Sequence, residues 1–322
     1  MVALRPEGVF DLTEHYPTMS TLLDQAQPAQ AVQGTPGQWL CSVEDLIQNS
    51  LPGQGNPGAP WLLAPCDLQV VKAAGVTFAA SLIERVIEEQ ARGDASRAQG
   101  LRSQVIGLIG ESLADIRPGS PQAMALKALL QEKGLWSQYL EVGIGPDAEV
   151  FTKAPILASV GGGQDIGVRA DSAWNNPEPE VVLAVNGRGD IVGATLGNDV
   201  NLRDIEGRSA LLLGKAKDNN ASCALGPFIR LFDAGFGLDQ VRSETVHLRV
   251  AGIDGFELRG INTMSSISRA APRVTDRVVS GRLKASSRCR AETAISPLCS
   301  AYVPTASATG SPAIPRASGP TG

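Results

Sequence analysis

One stretch of this chain constrains its fold more than any other. Val181-Val182-Leu183-Ala184-Val185 and Ile191-Val192-Gly193-Ala194-Thr195 flank Asn186-Gly187-Arg188-Gly189. Two apolar, β-branched runs around an Asn-Gly turn predict an antiparallel hairpin, because Asn and Gly tolerate the positive φ that a tight turn demands. Arg188-Gly189-Asp190 falls in that turn and reads as turn chemistry rather than as an adhesion signal. A turn centred near Gly187-Arg188 pairs residues whose numbers sum to about 375–376. Pro177-Glu178-Pro179-Glu180 stands just before the hairpin and Gly197-Asn198-Asp199 ends it. Alternation along a strand puts Glu178 and Glu180 on one face. The register sets Asp199 opposite residues 176–177, so three carboxylates converge on one patch of one sheet.

That patch has two readings. It is a solvated acidic strand edge, or it is a site for a hard divalent cation. Three unneutralised carboxylates repel one another, and oxygen ligands suit Mg2+. Two cations follow closely in the chain. Arg203, in Asn201-Leu202-Arg203-Asp204, and Lys217, ahead of Ala221-Ser222-Cys223, could hold a substrate carboxylate or move a proton. Each alone reads first as a surface charge. Cys223 has no histidine near it in sequence and reads as a core thiol. The glycine-rich run 161–167 lacks both the P-loop Lys-Ser/Thr and the G-x-G-x-x-G frame, so it reads as a flexible loop near the site.

Elsewhere the patterning alternates between helix and strand. A short strand is expected at 9–12, a short helix at 19–25 and a strand at 68–71. A helix over 78–92 would bury Leu82, Ile83, Val86 and Ile87 and leave Glu84, Arg85, Glu88 and Glu89 outside. Further helices are expected at 97–115 and 121–133. A second hairpin joins residues 246–250 and 256–258 around Asp254-Gly255, with His247 facing outward. Turn-rich segments at 33–37 and 52–60 suggest linkers, the second marking a boundary.

Composition narrows the function. The 322 residues carry 28 Lys+Arg against 33 Asp+Glu, a net charge of −5. That argues against a nucleic-acid partner, since phosphate binding calls for a basic surface. No apolar run is long enough to span a bilayer, so no membrane partner is expected. Glu7, Asp11 and Glu14 occupy the place of a signal-peptide core, and the five cysteines lack metal-ligand spacing. Together these read as a cytoplasmic protein with reduced thiols. The two histidines, His15 and His247, make a histidine-based triad or zinc site a poor expectation.

The E-x-E pair, an Asp 19 positions after its second Glu, the Arg203-Asp204 pair and Lys217 ahead of Ala221-Ser222-Cys223-Ala224-Leu225-Gly226-Pro227 together resemble the fumarylacetoacetate hydrolase superfamily. Within it, Lys72-Ala73-Ala74-Gly75-Val76-Thr77-Phe78, Glu84-Arg85-Val86-Ile87-Glu88-Glu89, Gly134-Leu135-Trp136-Ser137-Gln138-Tyr139-Leu140-Glu141 and Gly145-Pro146-Asp147-Ala148-Glu149 look like the branch of 2-keto-3-deoxy-xylonate and -arabinonate dehydratases. The resemblance covers roughly residues 1–269 and is strongest from 61 onward. It implies an α+β fold, a mixed β-sheet roll with flanking helices preceded by a small N-terminal domain. It implies Mg2+ on Glu178, Glu180 and Asp199, with Mn2+ or Ca2+ as substitutes, and a small-molecule 2-keto acid as ligand. Lys217 and Glu84 are the implied proton-transfer groups, and Arg203, Lys217 and Thr77 the implied substrate contacts. The implied activity is a lyase reaction in sugar-acid catabolism, dehydration of a 2-keto-3-deoxy-pentonate to 2-oxoglutarate semialdehyde, by a homodimer or larger assembly.

Two departures qualify that picture. Hydrolases of the superfamily carry a water-activating histidine in the region matching 77–84, and this chain has none there. Elimination is therefore favoured over C–C hydrolysis or decarboxylation of an acylpyruvate-like substrate. From residue 270 the family ending is replaced by an Ala, Ser, Pro and Arg-rich tail with seven basic residues and two acidic ones. A disordered basic tail and a frame-shifted end both fit this composition. The expected organisation is thus 1–60 as a small N-terminal domain and linker, 61–269 as a catalytic domain without its family ending, and 270–322 as an anomalous tail. An inactive, truncated remnant is the third alternative.

Overall fold

The structure is a computed structural model and describes residues 1–75, 79–92, 94–105, 116–132, 136–252, 254–267, 291–294 and 301–304. Its first sheet is a meander of β1 (Val2–Arg5), β2 (Gly8–Asp11) and β3 (Gln38–Cys41). The short helices Met19–Leu23, Pro28–Gly34 and Val43–Asn49 accompany it. The Thr18 and Ser42 hydroxyls cap two of these helices by accepting from Thr21 N and Asp45 N, which satisfies N–H groups a helix start leaves free. The chain then enters β4 (Val70–Ala74), and after a helical region β5 (Val150–Ala154) and β6 (Val160–Gly161). A two-residue strand, β7 (Asn175–Asn176), precedes the expected hairpin, β8 (Pro179–Val185) and β9 (Ile191–Asp199). After it come β10 (Asn201–Leu202), β11 (Cys223–Leu231), β12 (Thr245–Ala251) and β13 (Glu257–Thr263). The tail contributes β14 (Ala291–Ala294) and β15 (Ala301–Pro304), and its other residues lie outside those described.

The main sheet is mixed and has seven strands in the order β5-β4-β14-β8-β9-β11-β6. β8 is buried from Val181 to Val185, which explains its unbroken apolar run: a central strand covered on both faces has no need of polar positions. Val181 and Leu183 pack with Ala194, Val246 and Met264. Val182 points the other way, into Val71, Ala154, Cys223 and Leu225. Cys223 is thus the core thiol its context suggested, and Cys41, Cys66 and Cys223 are all unbridged. β12 lies between β13 and β15 in a three-stranded sheet, with His247 exposed as expected. Among the described residues no helix is long and apolar enough to cross a membrane.

Helices Ala79–Ala91, Ala95–Val105, Pro121–Glu132 and Gln138–Ile144 form the helical region. Leu82, Val86 and Ile87 bury the expected face against Tyr139, Leu140 and Ile144. The helix expected from 97 begins at Ala95 and is described to Val105, and the rest of its expected span, residues 106–115, lies outside those described. One expectation needs correction. Arg85, expected outside, is buried, because two carboxylates from other elements receive it.

Candidate metal centre

The hairpin delivers the acidic cluster, in a register one to two residues from the expected one. Glu180 faces Gly197 and Val181 faces Leu196, so partner numbers sum to 377. An irregularity between Ala184 and Val185 shifts the pairing toward the turn, as an extra unpaired residue in one strand does. The consequence is local but chemical: Asp199 stands beside Glu178 itself, its N–H donating to Glu178 O at 2.8 Å. The β7–β10 pairing, Asn176 with Asn201 and Asn175 with Leu202, then ties the chain before Glu178 to the chain after Asp199.

Carboxylate oxygens of Glu178, Glu180 and Asp199 lie within 4.8 Å of one another. Lys217, the last residue of the helix Leu213–Lys217, is fully buried among them. Its Nζ donates to Glu178 Oε2 at 2.5 Å and to Asp199 Oδ2 at 3.0 Å, and sits 5.4 Å from the Phe151 ring centre. Glu178 Oε1 accepts from Asn201 Nδ2 at 3.0 Å and pairs with Arg85 at 3.5 Å. Arg85 also pairs with the buried carboxylate of Glu206.

Electrostatics separates the three acids. Burial pushes Glu178 up, but Lys217, Arg85 and Arg203 outweigh it and hold this carboxyl well below the usual range. Glu180 goes the other way: burial, then Asp199 and Glu178, raise it well above an ordinary glutamate. Lys217 loses by burial and gains more from Asp199, Glu178 and Glu206, so its ammonium is held charged. Among the described residues no donor bonds the Glu180 carboxylate. An all-oxygen donor set, with one carboxylate short of a positive partner, fits a hard divalent cation.

The structure thus brings together Glu178, Glu180, Asp199 and Lys217. Arg203 stands at the start of the helix Arg203–Glu206, and its Nε donates to Asn176 Oδ1 at 2.5 Å. Thr77 lies outside the described residues, and Glu84 lies in the helix Ala79–Ala91 but its side chain is outside them too. The glycine-rich run is partly ordered by pairing: Val160–Gly161 forms β6 beside β11, and Gly167 N donates to Ala221 O at 2.9 Å.

Four polar residues of the site were not singled out for chemistry in the sequence: Glu149, Lys153, Asn201 and Glu206. Glu149 is half-buried, its Oε2 is buried with no hydrogen-bond partner, and burial raises its carboxyl while Arg85 pulls it back. Lys153 is buried on β5. Alternation puts it on the same strand face as Phe151, which gives its side of the strand but not its burial.

No protein-family model matches the chain. Its fold is of the fumarylacetoacetate hydrolase type, shared with 2-keto-3-deoxy-D-arabinonate dehydratase. The structure of that enzyme complexed with magnesium and 2,5-dioxopentanoate superposes with a TM-score of 0.58 at 17% identity, covering 96% of this chain and 84% of the other. In sequence the chain resembles the pentonate dehydratases. It is 42% identical over 99 residues to a probable 2-keto-3-deoxyxylonate dehydratase of Haloferax volcanii, across 31% of this chain and 34% of that protein. It is 42% identical over 81 residues to 2-dehydro-3-deoxy-D-arabinonate dehydratase of Saccharolobus solfataricus, across 25% and 27%. The matched stretch therefore spans about a third of the first relative's length and about a quarter of the second's.

Proposed function

We propose that this chain is a Mg2+-dependent lyase that dehydrates a 2-keto-3-deoxy-pentonate of the xylonate or arabinonate type to 2-oxoglutarate semialdehyde. The observation that carries the reading is the three-carboxylate cluster within 4.8 Å around the buried Lys217. Support comes from the two dehydratases that the chain resembles in sequence and from the shared fold. Glu178, Glu180 and Asp199 hold the ion. When bound, Mg2+ supplies Lewis acidity toward a 2-oxo acid, making the protons at C3 easier to remove.

The chain's own residues do the rest. Glu149 takes the C3 proton, with Glu84, whose side chain lies outside the described residues, as the alternative base. Glu149 is a carboxylate with a free oxygen and a raised affinity for protons, which suits a base working near neutral pH. The C4 hydroxyl leaves as water with a proton from Lys217, which is held charged. A proton then moves from C5 to C3, giving the C4–C5 enol, and transfer of the enol's hydroxyl proton to C4 yields the C5 aldehyde. Arg203 and Thr77 bind the substrate's polar groups.

On this reading residues 1–60 form a small N-terminal domain with its linker, and 61–269 form the catalytic domain, a mixed β roll. The protein works in the cytoplasm, in sugar-acid catabolism, as a homodimer or larger assembly. The change of composition at 270 marks a basic tail, paired into sheets where β14 and β15 lie, or a shifted reading frame, the latter lowering activity. Sequencing the coding DNA across codons 265–290 separates the two.

The test is product analysis. With Mg2+ and 2-keto-3-deoxy-xylonate or -arabinonate, one five-carbon aldehyde should accumulate, and Glu180→Gln should abolish it. Two smaller fragments would instead mean C–C hydrolysis. Full activity in Glu180→Gln would remove the metal assignment.

A further inference from the structure

Lys153 is among the largest fully buried side chains of the molecule, and the proposed reaction gives it no role. Its Nζ donates to Val200 O at 2.7 Å and to Lys217 O at 2.7 Å, and stands 3.0 Å from Asp199 Oδ1 in an ion pair. Three chain segments meet at this one atom: β5, the end of β9, and the last turn of the helix that carries Lys217. The contacts divide by kind. One neutralises a carboxylate of the acidic cluster on the oxygen that Lys217 leaves free, since Lys217 takes Oδ2. The other two pin main-chain carbonyls, one beside Asp199 and one belonging to Lys217 itself.

We infer that Lys153 is a positioning residue for the metal centre: it orients the Asp199 carboxylate and sets where Lys217 stands, without touching substrate. The inference rests on the Mg2+ site proposed above. An ammonium is the group that fits, because it is a compact charge with three donors that can spread over separated acceptors. A guanidinium is a planar fork and cannot reproduce that arrangement. Lysine at 153 is therefore a requirement of shape as well as of charge. The acid that Lys153 orients would have the geometry for a cation only while this contact holds, in the way outer partners hold metal-ligating side chains.

The experiment is Mg2+ titration by calorimetry on the wild-type chain, Lys153→Met and Lys153→Arg, each first checked for a cooperative melt. Both variants should bind Mg2+ about 10- to 100-fold more weakly, the range for lost outer partners of metal ligands. At saturating Mg2+ kcat should stay low while KM moves little, because Lys217 remains displaced. A variant that melts cooperatively and binds Mg2+ as tightly as wild type overturns the inference. A wild-type chain that binds no Mg2+ overturns the metal reading instead, and this inference with it. Should neither variant fold, the wild-type chain is labelled with 15N-lysine and titrated with Mg2+. Two slowly exchanging ammonium signals, from Lys153 and Lys217, should both shift. A shift in one alone overturns the inference.

Discussion

Glu149 illustrates how much a single residue's surroundings decide. Its carboxylate packs over Gly75, whose N–H donates to Glu149 O at 3.2 Å. A Cβ at position 75 would lie 1.8 Å from Glu149 Oε2. That oxygen ends a flexible side chain, so Gly75→Ala should fold and push the carboxyl aside. It should then lower kcat nearly as far as Glu149→Gln does, with a small change in melting temperature. Steady-state kinetics beside a thermal melt checks this, and normal turnover in Gly75→Ala would remove Glu149 from the reaction. The pH dependence follows from the same environment. A base works deprotonated, so activity should fall as pH drops through the Glu149 pKa. Burial raises that pKa, so the acid limb of kcat/KM should lie above the ordinary glutamate value of about 4.3.

Between elements, the helix Ala79–Ala91 is tied to the site through charge as well as packing. Arg85 pairs with Glu206 across 121 residues of sequence, and Tyr139 Oη donates to Glu206 O at 3.3 Å. Both side chains of the pair are buried. Removing one partner strands the other's charge in the interior, which costs about 3–5 kcal/mol, whereas removing both strands neither. Arg85→Ala should therefore destabilise by about that amount, and Arg85→Ala with Glu206→Ala by less than the sum of the singles. Denaturant melts of the three variants measure it, and strict additivity would mean the pair is not coupled. The same Arg85 lies 3.5 Å from Glu178, so the helix also biases a carboxylate of the cluster.

For the molecule as a whole, the site depends on the mixed sheet being assembled. Glu180 and Asp199 come from adjacent strands, Lys153 from β5 and Lys217 from a helix beyond β10. A ligand that binds only the assembled site stabilises the whole fold, by about 2.7 kcal/mol at a concentration of 100 Kd. Mg2+ with oxalate, a two-oxygen mimic of a 2-oxo acid's chelating end, should raise a cooperative melt of the 322-residue chain. Neither component alone should match the pair, and Glu180→Gln should lose the response. A melt indifferent to the pair would mean the cluster does not form a working cation site.

The sequence by itself determined the hairpin, its three carboxylates and the helix face of Leu82, Val86 and Ile87. Each follows from turn chemistry or periodicity over a few neighbouring residues, and such signals survive whatever the rest of the chain does. It came within two residues of the strand register, since a bulge cannot be seen until strands pair. Only the tertiary structure decided that Arg85, Lys153 and Glu206 are interior groups. A charged side chain is buried only where partners meet it. Those partners lie 121 residues away for Arg85 and 47 and 64 for Lys153. No local pattern records such a meeting, and it is these distant pairings that set buried lysines and an arginine against the three carboxylates of the strand patch.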